Sequence, residues 1–227
     1  MDHVEALPSA GANRDEIAVW DPFVRVFHWS LVAAFAIAYI VGDEALAVHV
    51  WAGYAVTGLI ALRIVWGFVG PRHARFSEFV FGPSAVFGYV RDLAAFQAKR
   101  YLGHSPAGGA MVLALLLGLT ALVATGLVTY AIRNNAGPLA GLVTATATVA
   151  PAPTAVAEPP QEVRRSGERR ARAPRPGRAW RQAHELIANV MLVLIGLHLA
   201  GVILSSLAHH ENLVRAMITG RKPADPH

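Results

Sequence analysis

Apolar residues run through this chain in four long blocks separated by polar stretches. Each block reads as a helix long enough to cross a bilayer core of about 30 Å, which takes roughly 20 residues. The predicted spans are about residues 23–41, 46–69, 110–132 and 180–207. Asp21 stands before Pro22, the order expected of a side-chain cap followed by a proline in the first helical turn. Gly42-Asp43-Glu44 makes a short acidic turn, and Gly67, Gly70 and Pro71 end the second span. Between the second and third spans, Pro83 to Gln97 is expected to form an amphipathic helix, with Val86, Phe87, Val90, Leu93 and Ala94 on one side. The fold class is therefore an all-α membrane protein, a bundle of four transmembrane helices.

The flanking segments differ in character. Residues 1–19 are small and polar and read as a flexible N-terminal tail with no cleavable signal peptide. Residues 134–179 are rich in Ala, Pro and Thr and then in Arg, with three prolines from Pro138 to Pro153, and read as a disordered insertion rather than a fifth span. The membrane domain covers 20–223, the start of the C-terminal segment can form a second amphipathic helix, and 224–227 is a tail.

Composition supports this division. The 227 residues are 54% hydrophobic and 15% charged, against about 25% charged in soluble domains. Of the basic residues, Arg72, Arg75, Arg91, Lys99 and Arg100 lie between spans two and three, and Arg215, Arg221 and Lys222 follow span four. The turn after span one has none. The excess of cytoplasmic Lys and Arg in membrane proteins then places both termini and the 71–107 loop in the cytoplasm. The arginines of the 134–179 insertion run against that rule, and the other three regions outweigh them. Trp20, Trp29 and Trp66 fall toward the inner surface, Trp51 and Trp180 toward the outer one. The positive charge thus reports topology and a lipid environment, with no nucleic-acid partner expected.

The candidate chemistry is histidine. His184 and His198 are fourteen residues apart, so they share one helix face and stand about 21 Å apart along the axis. Polar rings at membrane depth are rare and usually functional. His28 lies near the inner end of span one and His49 near the outer end of span two. Depth alone pairs His28 with His198 and His49 with His184. A lone intramembrane histidine is often only an interhelical hydrogen-bond donor; four that pair by depth point to iron ligation at two levels. The chain contains no cysteine, which excludes disulfides, iron–sulfur clusters and thioether attachment of haem. The cofactors expected are two non-covalent b-type haems.

Other residues fit around them. Arg63 follows His49 by fourteen residues, at the inner level. A buried arginine in a membrane needs an anion, and a haem carboxylate would serve. Arg25 could do the same. Gly53 and Gly196 remove bulk beside His49 and His198, though small residues also serve helix packing. His104, before span three, is a candidate for a carboxylate or quinone contact, with Tyr101 and Arg72 nearby in sequence.

In order along the chain stand Asp21-Pro22 with Arg25-x-x-His28-Trp29, then His49-x-Trp51-x-Gly53-Tyr54, then Arg63-x-x-Trp66-Gly67. Arg75-Phe76, Gly103-His104-Ser105-Pro106-Ala107-Gly108, His184-Glu185, His198 and Glu211-Asn212-Leu213-Val214 follow. Over roughly residues 18–132 and 178–223 the pattern resembles the bacterial, nickel-hydrogenase-type cytochrome b561 family. The resemblance implies a four-helix bundle holding two b haems between His28, His49, His184 and His198. It further implies electron transfer across the bacterial inner membrane between the quinone pool and a redox partner, a periplasmic c-type cytochrome or a hydrogenase-like subunit. Two rivals follow: a stand-alone quinone-coupled superoxide oxidase on the same bundle, and a non-haem metal transporter or scaffold. No internal repeat and no intramembrane acidic residue favours a transporter.

Overall fold

The computed structural model describes residues 16–143 and 177–224. Most of the expected insertion lies outside the described residues. Strand β1 (Glu16–Ala18) leads into α1 (Pro22–Val41), α2 (Leu46–Val69), α3 (Pro83–Ala94) and α4 (Pro106–Asn134). The second part holds α5 (Arg178–Ala208), α6 (Leu213–Thr219) and strand β2 (Arg221–Pro223). Helices α1, α2, α4 and α5 are each long and apolar enough to cross a membrane.

The helix starts follow from local chemistry. Asp21 accepts the Val24 N–H at 3.1 Å and caps α1. Ser105 accepts from Gly108 at 3.2 Å, so α4 begins at Pro106, four residues before the expected start. A serine before a proline is a strong helix start, and it brings Pro106 to Gly109 into the helix ahead of the apolar run. α5 likewise takes in Arg178 and Ala179, which the sequence assigned to the insertion.

Helices α1 and α2 pack along one another, as do α4 and α5, and α2 meets α4 to join the pairs. At mid-depth Val56, Ile60, Leu119 and Met191 form a buried layer, flanked by Leu31, Phe35, Leu115 and Ile187. Outward, Ile40, Trp51, Phe68 and Leu117 are 70–79% exposed. An apolar surface of that extent belongs against lipid rather than water.

The two ends of the bundle differ. At the turn end, Arg181 at the start of α5 pairs with Asp43 at 3.1 Å. At the other end the two described termini meet: β1 and β2 are antiparallel, with Ile17 opposite Lys222. Val19 and Trp20 both donate to the Gly220 carbonyl, at 2.8 and 3.1 Å. Gly220 ends α6 at φ +82°, and a Cβ there would lie 2.7 Å from the Trp20 carbonyl oxygen, so glycine is required twice over. Residues 16–19 are thus built into the fold, and Val19 is buried, where the sequence suggested a loose tail. Three residues with no apolar alternation carry no strand signal of their own; the partner lies some 200 residues away.

A buried ion cluster fixes this strand end. Glu211 bridges the Arg100 guanidinium and, at 3.4 Å, the Lys222 ammonium. Lys222 also donates to the Tyr101 carbonyl at 3.3 Å, and Arg100 to those of Pro223 and Ala224. Burial pushes the Lys222 ammonium down from its usual pKa, and Glu211 opposes that shift.

Candidate functional site

At the turn end, His49 of α2 and His184 of α5 face each other across the bundle. Their ring centroids are 6.1 Å apart and their planes stand at 77°. Each ring is turned by a neighbouring helix. His49 Nδ1 donates to the Ala38 carbonyl of α1 at 2.9 Å. His184 Nδ1 donates to the Leu122 carbonyl of α4 at 3.0 Å, with Thr125 Oγ1 at 3.3 Å. A carbonyl oxygen only accepts, so in the neutral imidazoles Nδ1 carries the proton and Nε2 keeps its lone pair. That is the state in which imidazole binds a metal, and a carbonyl on the far nitrogen is the usual orienting contact.

Gly126 of α4 makes this arrangement possible. A Cβ there would lie 3.0 Å from His184 Cε1 and 3.3 Å from Nδ1. Sequence reasoning passed over Gly126 and Thr125; the signal available was a Thr-Gly step at the depth of His184 in an otherwise bulky helix. Gly53 and Gly196 are different. A Cβ at either would meet nothing within 4 Å, so open space lies beside them rather than a packed helix. Gly118, by contrast, is closed off by the Met191 sulfur.

At the strand end, His28 of α1 and His198 of α5 come within electrostatic reach of one another. His28 Nδ1 is buried and has no hydrogen-bond partner among the described residues. Between the two histidine levels lies the buried layer: Met191 is seven residues from His184 and seven from His198.

Arg63, toward the strand end of α2, is 3% exposed. Its guanidinium carbon is 5.2 Å from the Phe76 ring centre and 5.8 Å from that of Phe79. Asp21 is within electrostatic reach, yet Nη1 is buried without a hydrogen-bond partner among the described residues. Arg25, expected in a similar role, donates Nη1 to the Ile218 carbonyl at 2.6 Å and fastens α1 to the C-terminal segment. Its Nε is buried without a partner among the described residues.

His104 is held between aromatic rings, 4.7 Å from Trp20 and 4.5 Å from Phe79. Burial pushes its imidazole down to about 3, helped by the charges of Arg63, Lys222 and His73. It is therefore neutral at physiological pH. It lines a cavity of about 230 Å³ together with His73, Glu78, Phe81, Tyr101 and Gly103. Arg72, expected beside it, pairs with Glu78 at 3.1 Å.

The donor set fits a pair of bis-imidazole metal centres carrying anionic groups: two opposed rings with free Nε2 atoms, a second histidine pair, and a buried cation short of an acceptor. Among the described residues no three His, Asp or Glu side chains gather into a non-haem metal cluster.

A family model described as prokaryotic cytochrome b561 matches residues 19–220. The chain is also similar to a probable Ni/Fe-hydrogenase B-type cytochrome subunit of Rhodobacter capsulatus, 29% identical over 153 residues. That similarity covers 52% of this chain and 56% of the relative, so the chain spans little more than half of that relative's length. No solved structure matches significantly.

Proposed function

Since the chain belongs to the prokaryotic cytochrome b561 family, and is thereby a multi-pass b-type cytochrome of electron transport, we propose that it holds two haems b and relays electrons across the bacterial inner membrane. His49 and His184 would hold one haem, His28 and His198 the other. The observation that carries this reading is the opposed pair His49–His184, with both Nδ1 atoms committed to carbonyls. Each haem, when bound, supplies one-electron chemistry at its iron.

The chain's own residues do the rest. The Ala38 and Leu122 carbonyls hold the rings in the ligating tautomer and raise their basicity. Val56, Ile60, Leu119 and Met191 keep the middle of the bundle dry, so ions and protons meet an apolar barrier where electrons can tunnel. Arg63 Nη1 is free to donate to a carboxylate of the lower haem. The basic loop and C-terminal segment support a cytoplasmic strand end.

The electron donor or acceptor at the strand end is the quinone pool. The cavity beside His104 supports this: it offers a neutral imidazole and the Tyr101 side chain against the aromatic wall of Phe81. Neutral imidazole can donate to a quinone oxygen or accept from a quinol without itself being charged. The partner across the membrane is a periplasmic c-type cytochrome or a hydrogenase-like subunit. Adding duroquinol to the oxidised, purified cytochrome tests the quinone assignment. The b-haem bands should appear within the mixing time and slow tenfold or more in Tyr101→Leu/His104→Leu. No reduction by quinol, with full reduction by dithionite, would overturn it.

A further inference from the structure

Helix α3 presents three different faces. With about 100° between successive residues, Val86, Tyr89 and Leu93 share one side, and Tyr89 and Leu93 are buried. Tyr89 Oη lies 3.4 Å from His209 Nε2, which docks this side against the end of α5. Pro83, Phe87, Val90 and Ala94 form a second stripe, all exposed; Phe87 is 75% and Val90 49% exposed. Ser84, Gly88, Arg91 and Asp92 make the third side, where the Arg91 side chain is 84% exposed. The single apolar side expected from the sequence is therefore two sides, one against protein and one open.

We propose that the open stripe is seated in the cytoplasmic leaflet, with Phe87 and Val90 among the upper acyl chains and Arg91 among the phosphates. α3 is twelve residues long, about 18 Å, too short to span. It leaves the end of α2 and leads to the start of α4, so it sits at the level where the bundle meets the head groups. Val80 and Phe96 continue the apolar surface at both ends of the helix, 59% and 61% exposed. The charge is complementary to an anionic leaflet: within residues 71–107 Arg100 is taken up by Glu211, and Arg72, Arg75, Arg91 and Lys99 remain against Glu78 and Asp92. A helix with one docked, one apolar and one polar side lies in the interface plane rather than in water.

The absence of cysteine from the chain makes the test direct. Single cysteines replace Ser84, Phe87, Val90, Arg91 and Ala94 in the full, haem-loaded chain. Each is labelled with a nitroxide in nanodiscs of equal parts phosphatidylcholine and phosphatidylglycerol. All five side chains are exposed, so the substitutions remove no buried packing, and an unchanged haem spectrum checks the fold. Labels at 87, 90 and 94 should collide severalfold more with oxygen than with a water-soluble nickel complex, and labels at 84 and 91 the reverse. Equal nickel access at all five positions would put the stripe in water and overturn the proposal. Shielding of 87, 90 and 94 from both reagents would do so too, by revealing a protein partner or a second copy on that face.

Discussion

The imidazoles of His49 and His184, on helices that never follow one another in sequence, stand 6.1 Å apart, and each is steered by a carbonyl from a third and a fourth helix. All four membrane helices thus contribute to one pair of rings. The geometry makes a haem held by this pair, as proposed, sensitive to residues other than its ligands.

Gly126 is the first such residue. A leucine side chain there would crowd Cε1 and Nδ1 of the His184 ring and disturb its bond to the Leu122 carbonyl. Haem per chain is expected to fall from two toward one in Gly126→Leu, with Gly126→Ala intermediate. Pyridine haemochrome analysis of purified protein reads this out; full occupancy in the leucine variant would contradict the role given to the ring's orientation.

Arg63 makes a separate prediction at the lower level. Its loss removes a buried positive charge and, on the proposed reading, would leave a carboxylate of the haem held by His28 and His198 without a donor. Both effects disfavour the reduced state. Arg63→Gln should therefore lower one of the two midpoint potentials, by about 60 mV for each 1.4 kcal/mol of interaction lost in a one-electron couple. The potential of the other haem should stay in place. A redox titration that finds both potentials unmoved removes Arg63 from the site.

Glu211 stabilises the strand end. Glu211→Gln leaves Arg100 and Lys222 buried with no anion between them, which costs about 3–5 kcal/mol in comparable buried clusters. The melting temperature in detergent should drop, and β1–β2 pairing should loosen first, read as faster amide exchange at Ile17 and Lys222. A melting temperature equal to wild type would mean that the cluster contributes nothing to the fold.

His104 sets a pH dependence with a definite sign. Its folded pKa is about 3 against an ordinary 6.5, so below 6.5 the unfolded chain binds a proton that the folded chain refuses. This group's stabilising contribution is complete above about pH 6.5 and is lost as pH falls toward 3, at about 1.4 kcal/mol per pH unit. Stability curves of wild type and His104→Gln should run parallel above pH 7 and converge as the pH is lowered toward 4. Curves that stay parallel throughout would show that His104 is not held neutral by its surroundings.

Much of this arrangement was legible in the chain itself. Apolar runs of the right length revealed the four spans, and the fixed rise of a helix was enough to sort His28, His49, His184 and His198 into two levels. The Asp21 cap could be read from its place before Pro22. What steers the rings could not be read: Ala38 and Leu122 act through carbonyls that every residue owns, and Gly126 hides among other small residues of α4. The β1–β2 pair was equally silent, since three-residue strands show no periodicity. In α3 the hydrophobic pattern was seen, but two adjacent apolar faces 80–100° apart look like one broad face until something packs against one of them. The bond from Arg25 to Ile218 was silent as well, because the partner is a main-chain oxygen 193 residues away.

The most direct test of the central claim is haem per chain, by pyridine haemochrome with reduced-minus-oxidised spectra, in the purified wild type and in His28→Ala, His49→Ala, His184→Ala and His198→Ala. Two b haems in the wild type are expected. His49→Ala and His184→Ala should lose the same spectral component, and His28→Ala and His198→Ala the other. One haem in the wild type, or a loss pattern that couples His28 with His49, would contradict the two-level arrangement.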